Sequence, residues 1–114
     1  MLANGVSELI QESIKLELEN IKKNYSENYN SAHEGYAVLL EEVEEVEECL
    51  RYIRTDIKIL WERVKNNFKD LENIDKSAEL LMIGVNAKQL AEEAVQVAAV
   101  AEKFVQTMEG MKDD

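Results

Sequence analysis

The sequence contains no proline and few of the other residues that interrupt helices. None of its 114 residues is proline, four are glycine, and aromatic residues make up 6% of the chain. Because proline ends helices and glycine weakens them, this composition favours long helices over short strands joined by tight turns. A chain of this length has room for one small domain. We therefore predict an all-α fold in which residues 1–114 form a single helical domain.

Cysteine, long apolar runs and positive charge are also scarce. Cys49 is the only cysteine, which excludes an intrachain disulfide and is typical of a reduced, cytoplasmic compartment. No uncharged run is longer than that of 80–87, which is too short to span a bilayer, so we expect no membrane partner. Lys and Arg number 13 against 24 Asp and Glu, giving a net charge of −11. This charge repels nucleic acid, which we therefore exclude as a partner, but attracts metal cations.

The apolar residues fall into three segments with helical spacing. The first covers about residues 6–23, where apolar side chains recur every three or four positions. A polar run over 24–30 interrupts it, and Ser31 with Glu34 then forms a capping-box pattern that opens a second helix over about 32–66. After a predicted loop at 70–77, a third helix covers about 78–108. Three long helices predict an antiparallel bundle, and their thin core predicts homo-oligomerisation.

The acidic run 41–48 divides between two sides of the second predicted helix. At about 100° per residue, Glu41, Glu44 and Glu48 turn away from the apolar stripe and are expected to face solvent. Glu42 and Glu45 instead share a stripe with valine and cysteine, so we expect them to be half-buried. Charge runs on helices are more commonly solvated faces, whereas buried carboxylates need a partner.

The third predicted helix places Glu93 and Gln96 at the corresponding angles. An antiparallel hairpin that pairs Glu42 with Gln96 and Glu45 with Glu93 has its turn near residue 69, a few residues before the centre of the predicted loop. If these side chains meet, three carboxylates and one amide supply only oxygen ligands, which suit Mg²⁺ or Mn²⁺.

Two segments resemble a known enzyme family. The segment 31–45, SAHEGYAVLLEEVEE, and the segment 91–98, AEEAVQVA, resemble the phage- and Firmicute-associated branch of the MazG-like all-α NTP pyrophosphohydrolases. The resemblance covers about residues 31–108. It implies Mg²⁺-dependent cleavage of a nucleoside triphosphate to a monophosphate and pyrophosphate, and assembly as a dimer or tetramer.

The resemblance also assigns expected roles to individual residues. In this family an EExxE motif and an ExxD motif bind Mg²⁺, and Glu41, Glu42 and Glu45 match the first while Glu93 matches the start of the second. Gln96 stands where the family has Asp, which removes a negative charge and weakens metal binding. We expect Glu42, Glu45, Glu93 and Gln96 to hold the metal. Glu41 or Glu45 would act as the catalytic base.

Four further residues are candidates for substrate binding, each with a simpler explanation. His33 beside the predicted cap could approach a phosphate, and Tyr36 could line a nucleotide pocket. Trp61 could stack on a base and Lys88 could bind a phosphate. The alternatives are that His33 is a residue of the capping region, that Tyr36 and Trp61 pack against neighbouring side chains, and that Lys88 is solvated. Lys103 is likewise expected to be a solvated lysine that could instead meet a phosphate.

A second functional class stays open. The sequence has no P-loop, GxGxxG, HExxH, CxxC or GxSxG motif, so the enzyme classes that depend on them have no support. The sustained heptads and Gln96 fit a non-catalytic helical oligomer, either a degenerate relative that binds nucleotide or a protein-interaction module. Paired carboxylates on two helices favour the hydrolase.

Overall fold

The computed structural model describes residues 1–66 and 78–112, which form three helices and no strand. They are α1 (Val6–Asn24), α2 (Ala32–Asn66) and α3 (Ala78–Lys112). The all-α prediction is confirmed: α2 has its predicted bounds, α1 ends one residue later, and α3 continues beyond residue 108. The predicted loop at 70–77 lies outside the described residues. No helix within the described ranges combines the length and hydropathy needed to cross a membrane.

The start of α2 follows the capping-box pattern. The backbone N–H of Glu34 donates to the hydroxyl of Ser31 at 3.1 Å. The Glu34 carboxylate accepts from the backbone N–H of Asn30 at 3.3 Å and from its side-chain amide at 3.0 Å. The return hydrogen bond therefore reaches one residue further back than in the usual box. These contacts fix the path of the chain as it enters α2.

The chain divides into two compact units, Met1–Glu44 with Glu93–Asp114, and Glu45–Glu92. In the first unit α2 and α3 run antiparallel. Gly35 lies against Phe104, whereas Glu42, further along α2, lies near Glu93, which comes earlier in α3. This arrangement agrees with the predicted bundle of antiparallel helices.

The first unit has a small core centred on the second half of α3. Ala99 and Val100 are buried there, and the buried ring of Tyr29 packs edge-on against Phe104 with 6.3 Å between ring centroids. The backbone N–H of Tyr29 donates to the buried hydroxyl of Thr107 at 3.1 Å. No residue of α1 is buried; the Lys22 ammonium in α1 donates to the side-chain amide of Gln106 in α3. The core is as thin as the sequence predicts.

The second unit buries less. Among its described residues only Cys49 is buried, which fits the predicted half-buried stripe that it shares with Glu42 and Glu45. Arg63 forms an ion pair with Glu79 at 3.1 Å. Large apolar side chains of this unit are exposed, including Ile57, Ile59, Trp61, Leu81, Met82 and Val85. Homo-oligomerisation stays a prediction. Association would be favourable if it covered these exposed apolar side chains.

Candidate functional site

Three glutamates from α2 and α3 form an acidic cluster. Glu42 and Glu45 are one turn apart on α2, and Glu93 comes from α3. One carboxylate oxygen from each of the three lies within 4.8 Å of the others. Glu42 and Glu93 are half-buried, the environment that their helical angles predict. The structure therefore brings together the three carboxylates that the sequence selects as metal ligands.

The chemistry of this cluster suits a small divalent cation. Two unit charges about 4 Å apart repel by about 1 kcal/mol in water and by about 4 kcal/mol at the lower effective dielectric near a protein surface. A bound cation relieves this repulsion. Carboxylate oxygens on rigid helices are ligands for hard ions such as Mg²⁺ and Mn²⁺, and the donors present fit either metal.

A cleft of about 470 Å³ in the first unit adjoins this cluster through a shared residue. Its walls come from α1, the segment between α1 and α2, the start of α2, and α3. The volume falls in the range of small-molecule sites, about 300–1,000 Å³. The lining side chains that bear on function are Tyr29, Glu34, Glu41, Glu42, Gln96 and Lys103.

Glu41 and Gln96, the remaining residues predicted for the metal and its chemistry, both line this cleft beside Glu42. Glu41 is exposed, as its helical angle predicts, so its carboxylate is hydrated and open to the cleft. Gln96 is half-buried and lies one turn beyond Glu93 on α3. Its neutral amide offers an oxygen ligand without adding charge.

Lys103 and Tyr29 form a pair that the sequence did not predict. Lys103 is only 2% exposed and Tyr29 only 7%, and the Lys103 ammonium lies 4.2 Å from the centroid of the Tyr29 ring. The expectation of a solvated Lys103 is therefore wrong, because the side chain lies along the packed face of α3. A sequence signal existed, since Lys103 follows Gln96 by seven residues and Val100 by three, the spacing of one helix face.

Burial and charge shift the pKa values of this pair in opposite directions. Burial raises the pKa of the Tyr29 hydroxyl, and the negative charges of Glu42 and Glu34 raise it further. Burial lowers the pKa of Lys103, while the carboxylates of Glu34 and Glu27 act against this effect. The cleft thus joins a buried cation to a largely acidic lining.

The four candidate substrate-binding residues do not line this cleft. His33 and Tyr36 are exposed residues of the first unit, with Tyr36 62% exposed. Trp61 and Lys88 belong to the second unit. Trp61 is 57% exposed with the Lys65 ammonium 5.7 Å from its ring centroid, and Lys88 lies 3.8 Å from Glu92. Their role in substrate binding stays a prediction.

Comparison with known proteins assigns no family. No protein-family model, curated protein or solved structure matches this chain. The resemblance to MazG-like enzymes therefore stays a prediction carried by segments 31–45 and 91–98.

Proposed function

We propose that this protein is a Mg²⁺- or Mn²⁺-dependent nucleoside triphosphate pyrophosphohydrolase. It would cleave a nucleoside or deoxynucleoside triphosphate to the monophosphate and pyrophosphate. The observation that carries the proposal is the cluster of Glu42, Glu45 and Glu93, whose oxygens lie within 4.8 Å of one another. Glu42 also lines a cleft of a size suited to a small molecule. The resemblance of segments 31–45 and 91–98 to MazG-like enzymes supports the choice of substrate.

In this proposal the chain supplies four oxygen ligands. The carboxylates of Glu42, Glu45 and Glu93 hold the cation, and the amide oxygen of Gln96 is the fourth ligand from the protein. When bound, the cation neutralises phosphate charge and makes a water molecule more acidic. Because Gln96 is neutral, the site carries one negative charge fewer than a four-carboxylate site. We therefore expect weaker metal binding than four carboxylates would give.

The reaction requires an acceptor for one proton. The oxygen of water attacks the α-phosphorus, the bond from that phosphorus to the α,β-bridging oxygen breaks, and pyrophosphate leaves. Glu41 or Glu45 accepts the proton that the water loses. Glu41 suits this role because it lines the cleft and is exposed, so that it can pass the proton to solvent.

Metal binding is tested by isothermal titration of Mg²⁺ and Mn²⁺ into the wild type and a Glu42→Gln/Glu45→Gln variant. The matched control is Glu44→Gln/Glu47→Gln, which removes two charges at the same spacing from exposed positions of the same helix. We expect the cluster variant to lose the binding heat and the control to keep it. Equal heats in all three proteins would rule out this metal site.

Catalysis is tested by measuring pyrophosphate release from a panel of canonical and modified nucleoside triphosphates. Release should require Mg²⁺ or Mn²⁺, should yield pyrophosphate rather than orthophosphate, and should be lost in Glu42→Gln/Glu45→Gln. If no substrate yields pyrophosphate although the cation binds, the protein is not a hydrolase of this class.

The second candidate function, a non-catalytic helical oligomer, rests on a separate observation. The second unit exposes large apolar side chains on both of its helices, with Trp61 57% and Leu81 62% exposed. Association would cover such side chains, because burying apolar surface is favourable. Light scattering of the wild type and of a Trp61→Lys/Leu81→Lys variant tests this function. A wild type that stays monomeric at all accessible concentrations would contradict it.

A further inference from the structure

Lys103 is a buried lysine whose ammonium faces a ligand-sized cleft. Its side chain is only 2% exposed, yet it lines the cleft of the first unit with Gln96 and Tyr29. Lysine is rarely buried to this extent unless its charge is paired. The position of Lys103 therefore calls for a physical reason.

The contacts of the ammonium only partly compensate its burial. The face of the Tyr29 ring lies 4.2 Å away and attracts the cation. None of the hydrogen bonds and ion pairs found in residues 1–66 and 78–112 involves its Nζ atom. Glu34 and Glu27 attract it only over longer distances. All three ammonium protons thus lack a hydrogen-bond acceptor among these residues, and a ligand in the cleft can provide one.

The other charged residues that line the cleft bear on which ligand it accepts. Among the described residues that line it, the charged side chains besides Lys103 are those of Glu17, Glu34, Glu41 and Glu42, all negative. An anion that enters the cleft therefore has Lys103 as its cationic partner among the lining residues. Gln96, Val100 and Lys103 share one face of α3, and the rise from Gln96 to Lys103 is about 10 Å. Gln96 and Lys103 thus line the cleft two turns apart along α3.

We propose that Lys103 binds a phosphate group of a polyphosphate ligand in this cleft, with the Tyr29 ring holding its ammonium in position. The choice of a polyphosphate rests on the proposed function. An extended polyanion can contact Lys103 while another part of it approaches the cluster of Glu42, Glu45 and Glu93. Lys103 is thus a binding residue, and the proposal gives it no proton to transfer.

The test uses inorganic tripolyphosphate as the probe, titrated in the presence of a chelator so that no divalent cation contributes. We expect wild type to bind tripolyphosphate and Lys103→Gln to bind it at least about ten-fold more weakly, the loss typical of a charge-assisted hydrogen bond. Lys103→Arg should recover most of the affinity. Lys15→Gln, which removes an exposed positive charge from α1 of the same unit, should bind like wild type.

A second measurement needs no variant at position 103. Tripolyphosphate should shift the ring resonances of Tyr29 in wild-type NMR spectra, because it binds the Lys103 ammonium that lies over that ring. The proposal is overturned if wild type does not bind tripolyphosphate, if Lys103→Gln binds it equally well, or if the Tyr29 resonances do not move.

The outcomes separate this inference from the proposed function. If tripolyphosphate binds without metal in a Lys103-dependent way but no pyrophosphate is released, the anion site is supported and the hydrolase activity is ruled out. If pyrophosphate is released in a metal-dependent way but Lys103→Gln binds tripolyphosphate with unchanged affinity, the hydrolase activity is supported and the role of Lys103 is ruled out.

Discussion

Gly35 of α2 and Phe104 of α3 pack so closely that a side chain at position 35 would press against the ring of Phe104. A Cβ atom added to Gly35 would lie 3.0 Å from each of three ring carbons of Phe104. Gly35 is buried, and the same ring packs against Tyr29, which lines the cleft. The absence of a side chain at position 35 thus lets the Phe104 ring of α3 pack against the start of α2. Tyr29 packs beside this ring.

We predict that Gly35→Ala destabilises the first unit although alanine is the better helix former. Overpacking costs about 1–3 kcal/mol, and the gain in helix propensity offsets about 1 kcal/mol. The expected net loss is on the order of 1 kcal/mol, measured as the free energy of unfolding in urea.

Two matched variants test the cause of this loss. Gly84→Ala lies within α3, where an added Cβ meets nothing within 4 Å, so it should stabilise by roughly 0.5–1 kcal/mol. In a Phe104→Leu background, Gly35→Ala should no longer destabilise. A loss that persists in that background would show that the Phe104 ring is not its cause.

The hydroxyl of Thr107 anchors the segment before α2 to α3. It accepts from the backbone N–H of Tyr29 at 3.1 Å and donates to the carbonyl of Lys103 at 2.9 Å. Thr107→Val leaves the buried N–H without its acceptor, so we expect a loss of about 1–3 kcal/mol in unfolding free energy. Thr107→Ser keeps the hydroxyl and should lose much less. Faster amide hydrogen exchange at Tyr29 in Thr107→Val, but not in Thr107→Ser, would identify this hydrogen bond as the cause.

The pKa of Tyr29 should report on the charge of Glu42. Burial and the charges of Glu42 and Glu34 raise this pKa, so removing one of these charges by Glu42→Gln should lower it. Absorbance titration of tyrosinate measures the change once the Tyr29→Phe curve is subtracted. Glu44→Gln is the control, because that exposed charge is not among those acting on Tyr29. An unchanged Tyr29 pKa in Glu42→Gln would contradict the electrostatic coupling.

Lys103 should give the stability of the protein a specific pH dependence. Burial lowers its pKa, so as pH rises the folded protein releases this proton before the unfolded chain does. The contribution of Lys103 to stability therefore rises with pH from the lowered pKa up to the ordinary lysine value of about 10.4. We expect Lys103→Met to be at least as stable as wild type at neutral pH.

Unfolding free energies of the two proteins at several pH values check this prediction. The advantage of Lys103→Met should shrink as pH approaches about 10. A difference between the two proteins that does not change with pH would contradict a buried charged lysine. Tyr29 titrates in the same alkaline range, and its raised pKa makes stability fall with pH above about 10. Because both proteins retain Tyr29, its contribution largely cancels in the comparison.

The local features of this chain could be predicted because they depend on neighbouring residues. The absence of proline, the three- and four-residue apolar spacing and the Ser31–Glu34 cap define helices whose bounds agree with the structure. Helical angles separate exposed Glu41 from half-buried Glu42 for the same reason. The antiparallel pairing of Glu42 with the region of Glu93 also follows from the geometry of a helical hairpin.

The cleft required information that local spacing does not hold. Tyr29 lies in a non-helical segment, and its position depends on the hydrogen bond to Thr107 and on the Phe104 ring, both far away in sequence. Lysine is a residue type that is usually found on the surface, so the sequence alone does not indicate that Lys103 is buried. It is buried because the Tyr29 ring covers its side chain.

The sequence by itself determined the three helices and the carboxylates suited to a cation, because helix formation and helix faces follow from residues three and four positions apart. Only the tertiary structure decided that Gly35 admits the Phe104 ring, that Tyr29 and Lys103 form a buried pair, and that a cleft opens beside Glu42. The physical reason is that these contacts join side chains distant in sequence, and the way such side chains pack is not encoded in the spacing of neighbouring residues.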